Sequence, residues 1–284
     1  MAFLYSREIS LNADAYISSA VSNYPVFVKF NSTDHPNLFD GDDGDSVCFT
    51  SDADGATQIP HECVLFSSSE AIFYVNCSLS ASADTLIYFW YGDTANSGEE
   101  NKSGTWYAGY SIHHFQDTLA SSISGGYSFS MAGSLSYSSN GVSGKALTGW
   151  SSSNYLTSSS CGTIFNKSYS TSNDDSVIVM AKSAASGVTF YGGNTSWNGR
   201  GPKMYSRGGT SLYGLSDYYY ASVNPGEQST TDWVLAMNAL DGATVRAYIY
   251  DAVTGYKTGS TTTKTSYSYS DRGIIIGRCY APSN

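Results

Sequence analysis

The sequence predicts an all-β protein built from two β-sandwich domains, and three observations carry that reading. Short apolar runs recur at regular spacing between turns rich in Asp, Gly and Ser, the rhythm of stacked antiparallel sheets. Charged residues make up only 13% of the 284 residues, against roughly 25% in an ordinary soluble domain. Polarity comes instead from 24 Tyr, 28 Gly and abundant Ser and Thr, residues that favour pleated strands and tight turns. Finally, the stretch Ser80 to Asp93 joins a Ser/Ala/Asp turn to a strand that is apolar on both faces, Leu-Ile-Tyr-Phe-Trp-Tyr, as a buried strand requires.

The elements follow in order. Residues 2–10 are expected as an opening strand or as an arm that reaches a neighbouring subunit. Strands are expected at Tyr24–Phe30, Ser46–Thr50, Pro60–Phe66, Glu70–Cys77 and Thr85–Tyr91. From Asn96 to Gly104 the chain is polar and flanked by Gly, the best linker in the sequence, so the domains are placed at 1–104 and 105–284. Beyond it, strands are expected at Tyr110–Phe115, Ser176–Lys182, Val188–Tyr191, Trp233–Asn238, Ala243–Tyr250 and Gly273–Arg278. In two of these runs, Trp233, Leu235 and Met237 alternate with Val234 and Ala236, and Val245, Ala247 and Ile249 alternate with Arg246, Tyr248 and Tyr250. A single turn of helix is conceivable only over Gln116 to Ser122, a length marginal without tertiary support.

Charge is divided unequally. Residues 1–109 hold 15 acidic and 3 basic side chains, a net of −12, whereas residues 110–284 hold 9 and 11, a net of +2. The first half therefore lacks the Lys and Arg that phosphate contacts demand, and the expectation is no nucleic-acid partner. No run approaches the roughly 20 apolar residues that span a bilayer, so no membrane association is expected. Ala2 to Tyr5 is too short for a secretory h-region of about 7 to 15 residues and meets Arg7 and Glu8 at once. A surface-type composition without an export leader fits a virion protein that assembles in the cytoplasm and leaves by lysis; leaderless export or a renumbered mature chain fits too.

Two resemblances sharpen this. Tyr-Pro-Val-Phe-Val-Lys-Phe (24–30), Asp-Ser-Val-Cys-Phe-Thr-Ser-Asp-Ala-Asp-Gly (45–55), Ile-Pro-His-Glu-Cys (59–63) and Ser80–Gly92 resemble, in order, a β-sandwich domain of unknown function found in bacterial surface and phage proteins. Cys48 stands where that family usually carries a cationic or polar residue. Residues 110–115, Gly-Val-Ser-Gly-Lys-Ala-Leu (141–147), Trp-Val-Leu-Ala-Met (233–237), Val-Arg-Ala-Tyr-Ile-Tyr (245–250) and Gly-Ile-Ile-Ile-Gly-Arg (273–278) are similar to a laminin-G/concanavalin A-like jelly roll, which commonly follows the first domain. The first resemblance implies a fold and a context but no activity.

Hydrolytic chemistry finds little support. A retaining glycosidase on a jelly roll needs two carboxylates about 5 to 5.5 Å apart on one strand face, yet the second half has a single glutamate, Glu227, and no Glu-x-Asp-x-x-Glu pattern. His35, His61, His113 and His114 all lie early in the chain, and no Gly-x-Ser-x-Gly elbow precedes a helix. The adjacent His113 and His114, if in a strand, point to opposite faces, one half-buried and one exposed. The five cysteines, Cys48, Cys63, Cys77, Cys161 and Cys279, show no Cys-x-x-Cys spacing and read mostly as buried thiols; Cys63 and Cys77, in neighbouring strands, are the one pair placed to meet.

Two binding sites remain. Asp40, Asp42, Asp43 and Asp45 sit in an Asp/Gly turn that either wraps a calcium ion or stays solvated, although it lacks the spacing of an EF-hand. Trp197, Tyr205, Arg207, Tyr213, Tyr218, Tyr219 and Tyr220 form an aromatic-rich set suited to stacking on sugar rings, or to packing within the sheet or a subunit interface. The expectation is a non-enzymatic phage virion protein, a fibre or decoration protein of the head or tail surface. It is expected to be a homo-oligomer contacting other virion proteins and a host cell-surface glycan, with an extracellular bacterial adhesin and a polysaccharide-degrading enzyme as alternatives.

Overall fold

The computed structural model describes residues 3–93, 95–106, 111–142, 144–158, 175–182, 188–192, 203–207, 211–217, 221–223, 233–241, 244–251, 255–262, 274–276 and 278–279. The fold is all-β, and its strands pair antiparallel. The chain divides into two compact units, Met1–Gly126 with Ser139–Ala146, and Tyr127–Ser138 with Leu147–Asn284.

The first unit contains β1 (Tyr5–Leu11), β2 (Val21–Asn31), β3 (Cys48–Thr50), β4 (His61–Phe66), β5 (Glu70–Leu79) and β6 (Thr85–Tyr91), plus a 3-10 turn at Pro36–Phe39 and one helical turn, α1 (Lys102–Thr105). They form two three-stranded sheets, β1-β6-β3 and β2-β5-β4. The opening segment is a strand of its own unit, paired with β6 from Tyr5↔Tyr91 to Leu11↔Thr85. β6 is central in its sheet: Ile87, Phe89 and Tyr91 point into the core, while on the other face Leu86 is exposed and Tyr88 and Trp90 are half-covered. Pro25, which has no N–H to donate, is tolerated because β2 is an edge strand. The bulge between Val21 and Tyr24 places Asn23 at φ 56°, a conformation Asn adopts more readily than most residues.

Side chains from both sheets meet in one aromatic core. The rings of Phe30 and Phe89 stack with centroids 4.4 Å apart, and Phe49 lies 4.8 Å from Phe89 and 5.4 Å from Phe73. Each such fully buried side chain is worth roughly 1.5–3 kcal/mol over its exposed state. At the end of β6, Gly92 has φ 90° and a Cβ there would run into the Tyr5 ring, so glycine is required.

Two segments differ from their sequence reading. The polar stretch 96–104 is tied to the first unit: the Asn101 N–H donates to the His61 carbonyl at 2.9 Å, the Cys63 N–H to Glu100 Oε1 at 2.8 Å, and the Asn76 amide to the Gly104 carbonyl at 2.7 Å. Asn101 also caps α1, its Oδ1 accepting from the Gly104 N–H at 2.9 Å. The 104/105 boundary therefore falls inside a stretch that continues to Gly126 within this unit. Residues 111–115, expected in a strand, have no strand pairing, and residues 116–122 contain no helix. Phe115 and Asp117 adopt φ 56° and 60°, left-handed conformations that interrupt either ladder.

The remaining strands are β7 (Ser130–Ala132), β8 (Ser136–Gly141), β9 (Gly144–Thr148), β10 (Tyr155–Ser158), β11 (Asp175–Ala181), β12 (Val188–Gly192), β13 (Lys203–Arg207), β14 (Ser211–Asp217), β15 (Ala221–Val223), β16 (Val234–Asp241), β17 (Thr244–Asp251), β18 (Gly255–Thr262), β19 (Ile274–Ile276) and β20 (Arg278–Cys279). β8 and β9 form a hairpin. An eight-stranded sheet runs β15-β14-β13-β12-β19-β10-β7 with β20 on β12, and a four-stranded sheet runs β11-β16-β17-β18. In the latter, Val234, Ala236, Ala247 and Ile249 are buried, so the small and β-branched members of the alternating pattern face inward.

Candidate functional site

The outer face of the four-stranded sheet gathers several of the exposed large apolar side chains among the described residues. Met180 pairs with Leu235, Leu235 with Tyr250 and Tyr250 with Tyr256, giving one continuous row across all four strands. The next row on the same face is Ile178, Met237, Tyr248 and Thr258. Bulky apolar groups here stand in solvent: Ile178 is 61% exposed, Met180 45%, Leu235 38%, Tyr250 53% and Tyr256 62%. The rings of Tyr248 and Tyr256 stack at 6.4 Å, which braces the aromatic end of the face. The sequence showed the alternation in β16 and β17 but not its sense. The signal was size, because Leu235 and Met237 are larger than the Val234 and Ala236 that turn inward.

The aromatic set expected to contact a ligand is only partly described. Tyr205 and Tyr213 are cross-strand partners in β13 and β14, and Arg207 pairs with Ser211 one step of the same face further on. Trp197, Tyr218, Tyr219 and Tyr220 lie outside the described residues.

The acidic turn uses its carboxylates internally. Both Asp42 oxygens accept the Gly92 N–H, at 2.9 and 3.1 Å, and Asp43 Oδ1 accepts the N–H groups of Asp45 and Ser46 at 3.0 and 2.9 Å. Burial pushes the Asp42 carboxyl above its ordinary range despite these bonds, with the charges of Asp43 and Asp93 adding to the effect. Asp40 is exposed at the end of the 3-10 turn, and the Asp45 carbonyl accepts the Glu99 N–H at 3.4 Å. The turn thereby fastens the end of β6 and the 96–104 stretch. Among the described residues, no group of three or more His, Cys, Asp or Glu side chains is placed to hold a metal ion.

A buried polar cluster escaped the sequence reading. Glu62, on β4, has a side chain only 2% exposed. Its Oε2 accepts from Trp106 Nε1 at 2.5 Å and pairs with His114 Nε2 at 3.0 Å, and Ser122 adds a further hydrogen bond. Burial opposes the charge of this carboxylate, but the bonds and the adjacent imidazole outweigh it and hold the carboxyl below its usual range. Tyr74, directly across from Glu62 in β5, stacks on His114 at 5.5 Å and leans on Trp106 at 4.8 Å. One carboxylate thus gathers Trp106 and the irregular strap 111–122 onto the sheet β2-β5-β4.

His113 and His114 are both half-buried rather than one half-buried and one exposed, because the segment that carries them is not a strand. His113 Nε2 lies 2.7 Å from Ser111 Oγ, and its Nδ1 lies 3.1 Å from the Leu119 carbonyl. Those bonds span two and six residues, so they close a local turn. Cys63 stands opposite Phe73 in β5, four residues from Cys77, too far along the strand for a disulfide, and Cys48, Cys63 and Cys77 are free thiols.

No family model, curated protein or solved structure matches the chain.

Proposed function

We propose that this protein is a non-enzymatic structural component of a phage virion, a head or tail surface fibre or decoration protein, and that its second unit binds a glycan or another host-surface partner. The observation that carries the particle-subunit part of this reading is the outer face of β11-β16-β17-β18, where aliphatic and aromatic side chains stand exposed in rows. A contiguous apolar face of this kind is characteristic of a contact surface. The low charge and Tyr-rich strands support the same role, as do the resemblances of residues 24–92 and 110–278 to a phage-associated domain and to a laminin-G/concanavalin A-like jelly roll. The groups nearest to acid–base chemistry, Glu62 and His114, are engaged with each other and with Trp106, which suits a structural clasp.

Two experiments test it. Adsorption of the purified protein to host cells is expected to fall when Tyr218, Tyr219 and Tyr220 are replaced by Ala, with the fold retained. Product release from a panel of surface polysaccharides, or unchanged adsorption by the triple variant alongside an empty glycan array, would overturn the reading.

A further inference from the structure

We infer that the outer face of β11-β16-β17-β18 is a self-association surface, on which a second copy of this chain packs face to face about a two-fold axis. The inference rests on the contact role proposed above and names the partner that fills the face. Three features of the face argue for it.

The first is extent. Ile178, Met180, Leu235, Tyr250 and Tyr256 together leave on the order of 600 Å² of side-chain surface in water, as large as the biggest patch on a typical monomer. It also makes up most of the roughly 800 Å² that each partner buries in a standard stable interface. The second is self-complementarity. Both rows start from an aliphatic residue on β11, Met180 or Ile178, and reach a tyrosine on β17, Tyr250 or Tyr248; the first continues to Tyr256 on β18 and the second ends in Thr258. A two-fold axis through the middle of the sheet lays the aliphatic end of one copy on the aromatic end of the other, so flexible Met fills the gaps between rigid rings. The third is charge. The acidic excess lies in residues 1–109, net −12, whereas residues 110–284, which hold this sheet, carry a net of only +2. The two rows named above contain no charged residue, and Arg246 stands in the row beside them on the same face, so copies that meet on these two rows oppose no like charges there.

The test is sedimentation equilibrium of the full chain from 1 to 100 µM. The wild type is expected to sediment at about twice its 30.4 kDa. Ile178→Lys with Tyr250→Lys, both at exposed positions, is expected to weaken association at least tenfold. Tyr16→Lys in the first unit, 88% exposed, is expected to leave association unchanged. Met180→Lys and Tyr256→Glu are each expected to be monomeric alone and to form a heterodimer when mixed, because the two-fold arrangement brings one end onto the other. Peroxide footprinting adds a readout independent of any variant: Met180 is expected to oxidise more slowly at 100 µM than at 1 µM. A monomeric wild type at 100 µM overturns the inference, as does an oligomer indifferent to the Lys variants or an assembly of another stoichiometry. Absence of the chain from virions would instead overturn the functional reading and leave this result standing.

Discussion

Removing the Glu62 carboxylate is expected to free the 111–122 strap from the first unit. Glu62→Ala leaves the Trp106 indole N–H, the His114 ring and the Ser122 hydroxyl facing a cavity where their shared partner stood. Each buried donor left without its acceptor costs about 1–3 kcal/mol. Glu62→Gln keeps the shape and one acceptor oxygen but loses the charge, which is worth about 1.5–3 kcal/mol for hydrogen bonds to an ionised group. The order wild type, Gln, Ala is therefore expected in urea unfolding of the first unit at pH 7. Hydrogen exchange of residues 111–122 is expected to accelerate in the same order. The pH dependence has a definite sign: the folded-state carboxyl titrates below its unfolded value, so its contribution is complete above the ordinary carboxylate range and is lost as pH falls through the folded value. Wild type and Glu62→Gln should then converge in acid, while Glu62→Ala, which still lacks the acceptor and keeps the cavity, should stay below both. An Ala variant within about 0.5 kcal/mol of wild type, a difference typical of a neutral surface substitution, with strap exchange unchanged, would refute the clasp.

Asp42 is expected to behave oppositely, because burial raises its folded-state value: its contribution is present in acid and is lost as pH rises through that value. Thermal melts from pH 3 to 7 should show a flatter profile for Asp42→Asn than for wild type, whereas Asp42→Ala, which strips the acceptor from the Gly92 N–H, should cost about 1–3 kcal/mol at every pH. Calcium or EDTA is expected to leave the melting temperature unchanged within about 1 °C, since the Asp42 and Asp43 oxygens are engaged by backbone N–H groups; a rise of several degrees at millimolar calcium, of the size that binding linkage produces, would show otherwise. Burial pushes the Cys48, Cys63 and Cys77 thiols up to about 12, so peptide-mapped iodoacetamide labelling at pH 8 should miss all three in the native protein and modify them in denaturant.

Local pattern made the strands legible and left the polar architecture hidden. β6 was readable to the residue because Leu86 to Tyr91 is an unbroken apolar and aromatic run bounded by the turn before Thr85 and by Gly92. β11, β12 and β17 were readable within one residue at each end, and β16 within one residue at its start and three at its end. Residues 111–115 misled because Ser-Ile-His-His-Phe carries a strand-like composition while its backbone is directed by distant partners, His114 by Glu62 at a separation of 52 residues. The stretch 96–104 misled for the same reason: Gly, Asn and Glu suit a linker, but Glu100 and Asn101 find acceptors and donors on β4 that no local window contains. Glu62 was invisible as a buried group because a lone carboxylate in a strand ordinarily faces water, and only the returning strap covers it. Alternation located the contact face but left its sense open, since both sets of side chains in β16 are apolar.

The central claim is that the chain works by contact as part of a particle. It is tested most directly by quantitative mass spectrometry of virions purified from lysates of the host that produces the protein. The account predicts intact chain at several copies per particle, in a constant ratio to the major capsid protein across the density gradient. Finding the chain only in the soluble fraction, with none banding with particles, would contradict it.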